Sequence, residues 1–74
     1  PDDELLAAVL AKLFAERGIK VGDDLIRWLL VRIERSLGAA QAVVAALDAE
    51  GLSRRRAITI PLAREVIDGQ FSLF

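Results

Sequence analysis

Between Asp23 and Arg35 the chain carries seven large apolar residues: Leu25, Ile26, Trp28, Leu29, Leu30, Val31 and Ile33. Wound as a helix, this stretch is apolar on most sides. Arg27, Arg32, Glu34 and Arg35 mark only a narrow wet strip. Such a helix must be surrounded by other elements, so it belongs at the centre of a bundle. Gly22 or Asp23 begins it.

The flanking sequence supplies the neighbours. From Asp3 to Arg17, Leu6, Val9, Leu10, Leu13 and Phe14 recur at helical spacing and predict one buried face. Asp2, Asp3 and Glu4 place negative charge at the positive end of that helix, and Asp2 or Asp3 can cap it. Gly18 provides a left-handed stop. Ser36 is a good N-cap for a third helix over Leu37 to Arg54. Alanine dominates that helix, with Val43, Val44, Leu47 and Leu52 as its larger contacts. Gly38 and Gly51 each weaken it by roughly 1 kcal/mol relative to alanine. Thr59 caps a fourth helix from Ile60 to Asp68. Pro61 stands in its first turn, where the missing N–H costs little, and Gly69 ends it.

Two short alternating pieces, Ile19-Lys20-Val21 and Ala57-Ile58-Thr59, lie either side of helices two and three. Such a helical crossover is what a parallel pair requires. The expected fold is all-α, a four-helix bundle with a minimal parallel β-bridge near Lys20 and Ile58 and an extended C-terminal tail.

Composition narrows the chemistry. With no cysteine and no histidine in 74 residues, disulfides, Cys/His zinc sites and His-assisted nucleophiles are excluded. A formal charge of −1 gives no overall basic footprint for nucleic acid. No uncharged run is long enough to span a bilayer. A cytoplasmic location is expected, with no membrane partner. Apolar residues make up 54% of the chain, more than so small a domain can bury, so self-association in isolation is expected through Leu5, Ala8 and part of helix two. Beginning at Pro1 rather than methionine, the sequence reads as a fragment of a longer protein.

The chain finishes Gln70-Phe71-Ser72-Leu73-Phe74. This resembles the peptide by which bacterial proteins dock on the DNA polymerase sliding clamp, roughly Gln-Leu-(Ser/Asp)-Leu-Phe, with Phe71 in place of the first leucine. The body resembles a second, independent pattern. Leu10-Ala11-Lys12-Leu13 through Arg17-Gly18-Ile19, and Arg56-Ala57-Ile58-Thr59-Ile60-Pro61-Leu62 through Glu65-Val66-Ile67, are similar to the C-terminal helical lid of the AAA+ module in DnaA and its relative Hda. Pro61 after Ile-Thr-Ile is closer to Hda. The resemblance implies a lid subdomain over 1–69 and a clamp-binding tail over 70–74. It also implies a role in restraining DnaA-dependent initiation of replication, with DnaA, the sliding clamp and an upstream AAA+ base subdomain as partners. Hda relatives usually carry the clamp peptide at the N-terminus, so its position here differs.

In this family an arginine at the start of helix three reaches the nucleotide phosphates, the sensor-2 position. By the resemblance it falls at Gly38 or Ala39, and neither side chain reaches. Arg35, one turn earlier, is a weak substitute. The phosphate loop, magnesium-binding acid and arginine finger belong to the base subdomain and are not among these residues. No catalytic residue, metal ligand or cofactor site is therefore expected here, and ATP or ADP is a matter for the full-length protein.

Other features have plain structural readings. Arg54-Arg55-Arg56 suits a solvated helix end, where positive charge complements the dipole. Capping explains Asp2-Asp3-Glu4 and Asp23-Asp24, and Trp28 reads as a core or interface residue. Helices two and three suggest a helix-turn-helix, but an Ala, Val and Leu surface has almost nothing to read a base edge, so sequence-specific DNA binding is not expected. Three roles stand: a clamp-tethered adaptor, a structural lid whose tail packs on its own core, and the lid of an active ATPase. The missing sensor arginine weighs against the third.

Overall fold

A computed structural model describes residues 2–71, with side chains through Gly69. Asp2 is extended, and its carboxylate accepts the Leu5 N–H at 2.8 Å to start α1, Asp3–Glu16. Leu6, Leu10 and Phe14, spaced by one turn, are fully buried, while Val9 and Leu13 pack half-buried beside them. Burying Phe14 alone contributes roughly 1.5–3 kcal/mol. Gly18 ends the helix in the left-handed region at φ 71°. The Gly18 and Ile19 N–H groups then close back onto the Ala15 and Phe14 carbonyls.

The second helix, α2, spans Asp23–Leu30 and buries Leu25, Ile26, Leu29 and Leu30. It stops five residues before the expected Arg35. The Arg32 guanidinium donates to the Trp28 carbonyl at 3.1 Å, the acceptor that the Arg32 N–H would use in a continuing α-helix. That N–H bonds the Leu29 carbonyl instead, a tightened last turn. The chain then extends to Ser36, whose hydroxyl accepts the Ala39 N–H at 3.0 Å to cap α3, Leu37–Arg54.

α3 faces α1 on one side and α4 on the other, and α1 also contacts α2. Ala40, Val44 and Leu47 complete the buried face. The helix ends without a glycine. Arg55 takes the left-handed conformation at φ 53°, and the Arg55 and Arg56 N–H groups bond the Leu52 and Gly51 carbonyls. α1 and α3 thus share one type of closure, in which two N–H groups past the end satisfy orphan carbonyls.

α4 runs Ile60–Phe71, with Leu62 and Ala63 buried and the Thr59 hydroxyl accepting the Leu62 N–H. It passes through Gly69, where a stop was expected. A glycine permits the left-handed conformation without imposing it. Gln70 and Phe71 therefore have helical backbone, and no extended tail is seen from Gly69 onward among the described residues.

The expected β-bridge is absent among the described residues, which form an all-α four-helix domain with no strand. Ile19, Lys20, Ala57 and Ile58 line one groove, so the two pieces are neighbours. No backbone hydrogen bond joins them. The Ile19 and Arg56 N–H groups are spent on closing α1 and α3, and the Thr59 carbonyl accepts the Ala63 N–H of α4. An isolated ladder of three residues gains too little to compete with those closures.

Candidate functional site

Two regions bear on function: the N-terminal end of α3, and the face where α4 lies against α3. At the first, Gly38 is exposed, and a Cβ built on it would meet nothing within 4 Å. Ala39 is half-buried. Arg35 forms an ion pair with Asp3 in the first turn of α1, both side chains about half exposed. The loop before α3 is thereby strapped to the start of α1, and the Arg35 guanidinium is directed at that carboxylate. A second tie, Arg17 to Asp48 at 2.7 Å, holds the end of α1 to the middle of α3. Each pair is partly solvated and contributes up to about 1 kcal/mol.

The second region is an open apolar groove of about 240 Å³. Ala39, Ala42, Val43 and Ala46 of α3 form its floor, Val66 and Ile67 of α4 one wall, and Arg32 and Ile33 just past α2 the other. Small residues on α3 leave the depression, because a longer side chain at Ala42 or Ala46 would fill it. Its volume lies below the ~300–1,000 Å³ typical of small-molecule sites and suits inserted side chains.

Trp28 flanks this groove through Arg32. The Arg32 guanidinium stacks on the indole, 3.9 Å from the ring centroid, and Arg64 of α4 approaches the same ring at 5.9 Å. Neither arginine has an ion-pair partner among the described residues. The indole Nε1–H is buried without a hydrogen-bond partner among the described residues. The sequence reading of Trp28 as a core or interface residue and of Arg32 as part of the wet strip missed this stack, whose i, i+4 spacing is the signal that could have found it. Arg64 carries no such signal, since only the packing of α4 brings it there.

The arginine run divides by role. Arg54 pairs with Glu50 at 3.1 Å and with Glu65 of α4 at 3.2 Å, and Arg56 reaches the same Glu65 at 3.7 Å. These two join the end of α3 to α4. Arg55 between them is the left-handed residue.

Among the described residues, no group of three or more carboxylate, histidine or cysteine side chains is placed to hold a metal. No helix searched is long and apolar enough to cross a membrane. Leu5 and Ala8 are exposed, as expected. Within α2 the apolar residues are mostly buried, and the exposed apolar surface nearby is Val31, 72% exposed just past its end. Leu37 and Leu52 are exposed as well.

Of the proposed clamp motif, Ser72, Leu73, Phe74 and the side chains of Gln70 and Phe71 lie outside the described residues. The structure brings their point of departure, the end of α4, one helical turn beyond the groove residues Val66 and Ile67.

Residues 2–67 match the family model described as "Hda, lid domain". No curated protein and no solved structure matches the chain.

Proposed function

The chain belongs to the Hda lid family, and from that footing we propose that it is the lid of an Hda-type regulator of DnaA, tethered to the DNA sliding clamp by residues 70–74. The observation that carries the reading is the order of two independent signals. The lid match ends at residue 67, and Gln70-Phe71-Ser72-Leu73-Phe74 follows after Asp68 and Gly69. Lid and tail together make an adaptor. The helical body docks on an upstream AAA+ base subdomain, the tail holds the assembly at the clamp, and DnaA is the protein acted upon. Any ATP or ADP is bound by the base, because Gly38 and Ala39 offer no side chain for a phosphate and Arg35 is engaged with Asp3.

The tail acts as an extended peptide. Leu73 and Phe74 enter an apolar cleft, worth roughly 1.5–3 kcal/mol each on full burial. Gln70 hydrogen-bonds at a neighbouring polar subsite, while Phe71 and Ser72 set the spacing. Ordering the tail and immobilising the protein take back much of the gain, leaving an affinity on the order of micromolar. Because α4 continues to Phe71, its last turn must unwind for the whole motif to extend. Gly69 makes that turn easy to undo, since glycine in a helix costs roughly 1 kcal/mol relative to alanine.

Two variants test this by surface plasmon resonance on immobilised clamp. Replacing Leu73 and Phe74 by alanine abolishes binding while the helical circular dichroism of the folded domain is kept. Gly69→Ala, whose Cβ meets nothing within 4 Å, stiffens the last turn and weakens binding up to about fivefold. Unfolding by the double alanine change would assign the tail to the core and remove the adaptor reading.

A further inference from the structure

We infer that the groove floored by α3, between α4 and the segment just past α2, is the resting site of residues 72–74, so that the tail lies on its own domain when no partner holds it. α4 delivers the chain there: Val66 and Ile67 form one wall, and the helix ends at Phe71, one turn later. Three further residues reach about 10 Å. On the α3 floor Ala39 and Ala46 are seven residues apart, also about 10 Å at the helical rise. The two surfaces match in character. Leu73 and Phe74 are large and apolar, and Ala42 and Ala46 leave space for large apolar groups. Leu6, Leu10, Phe14, Leu25 and Leu29 are already buried against one another, and the depression that Leu13 and Arg17 of α1 line with Gly38, Gln41 and Ala45 of α3 is more polar and has no α4 residue in its lining.

Docking here makes the tail its own competitor. The apolar side chains that enter the groove are those that would enter the clamp cleft, so one site excludes the other. The docking stands on the groove alone, whereas the competition rests on the clamp reading above. Apparent clamp affinity then falls by the fraction of molecules with a free tail.

The test uses the isotope-labelled 74-residue chain. Nuclear Overhauser cross-peaks are expected from the Leu73 methyls and Phe74 ring to the Val43 and Val66 methyls. Ala42→Arg and Ala42→Glu each put a long charged side chain in the exposed groove floor, and both should remove those cross-peaks while the helical dichroism is kept. Both should also bind clamp about three- to tenfold more tightly. Agreement between opposite charges rules out a simple electrostatic effect on the clamp. Random-coil shifts at 72–74 without these cross-peaks in the unaltered chain overturn the inference. So do cross-peaks found only between differently labelled molecules, which would make a second copy the occupant. Intramolecular cross-peaks in a chain with no clamp affinity support the docking and remove the clamp reading. Disappearance of the cross-peaks in both variants with clamp affinity unchanged removes the competition.

Discussion

Two glycines in α3 meet opposite surroundings, and the same substitution should act on them with opposite sign. Gly38 is near the start of the helix, exposed, with nothing within 4 Å of a built Cβ. Gly38→Ala removes the entropic cost of glycine and should stabilise the domain by about 0.5–1 kcal/mol. At Gly51 a Cβ would stand 3.2 Å from the Arg56 carbonyl oxygen and 3.2 Å from Ile58 Cγ1. The Arg56 oxygen cannot simply swing away, because the Arg56 N–H is anchored on the Gly51 carbonyl at 3.0 Å. Displacing it loosens a closing bond worth about 0.5–1.5 kcal/mol and shifts Ile58 off the helix. That loss equals or exceeds the propensity gain, so Gly51→Ala should be neutral or destabilising by up to about 1 kcal/mol. A 1 kcal/mol change moves the melting temperature of a domain this size by about 4–8 °C. Thermal melts followed at 222 nm should therefore place the two variants at least about 2 °C apart, with Gly38→Ala the higher. Equal stabilisation by both would refute the idea that α3 needs glycine at 51 for the close approach of the chain at 56–58.

Arg55→Gly should raise stability by about 0.5–1 kcal/mol in urea denaturation, because the left-handed conformation at this position costs a non-glycine residue roughly that much or more. Phe14→Ala empties the largest fully buried side-chain site and should cost about 3–5 kcal/mol. This is much of what a domain of this size has, so dichroism at 25 °C should show a substantially unfolded population. Leu5, Val31, Leu37 and Leu52 leave apolar surface exposed, and sedimentation at high micromolar concentration should show self-association that Val31→Asp reduces. Calorimetry with ATP should give no binding heat for this chain, and heat lost on Arg35→Ala would show that Arg35 leaves Asp3 to serve as a phosphate ligand.

The α1 and α3 boundaries and the start of α4 were legible because their signals are local. Asp2, Ser36 and Thr59 accept N–H groups three residues on, and Gly18 has the left-handed angle expected of it. The one-turn spacing of Leu6, Leu10 and Phe14 likewise identified a core face from α1 alone. Where α2 and α4 end, and whether the two alternating pieces pair, depended on competition for backbone groups. Where α2 ends, the Arg32 guanidinium donates to the Trp28 carbonyl, and the Arg32 N–H bonds the Leu29 carbonyl instead. Gly69 stays helical within α4. Ile19 and Arg56 give their N–H groups to helix carbonyls, leaving no ladder. The candidate site shows the same division. The Trp28–Arg32 stack follows from spacing within one stretch, whereas the approach of Arg64, the strap from Arg35 to Asp3 and the groove floored by Ala42 and Ala46 join residues far apart in the chain. Helical periodicity and capping act over three or four residues, so sequence alone determines them. A groove, or the choice among several acceptors for one donor, is decided only when packing sets which elements lie side by side.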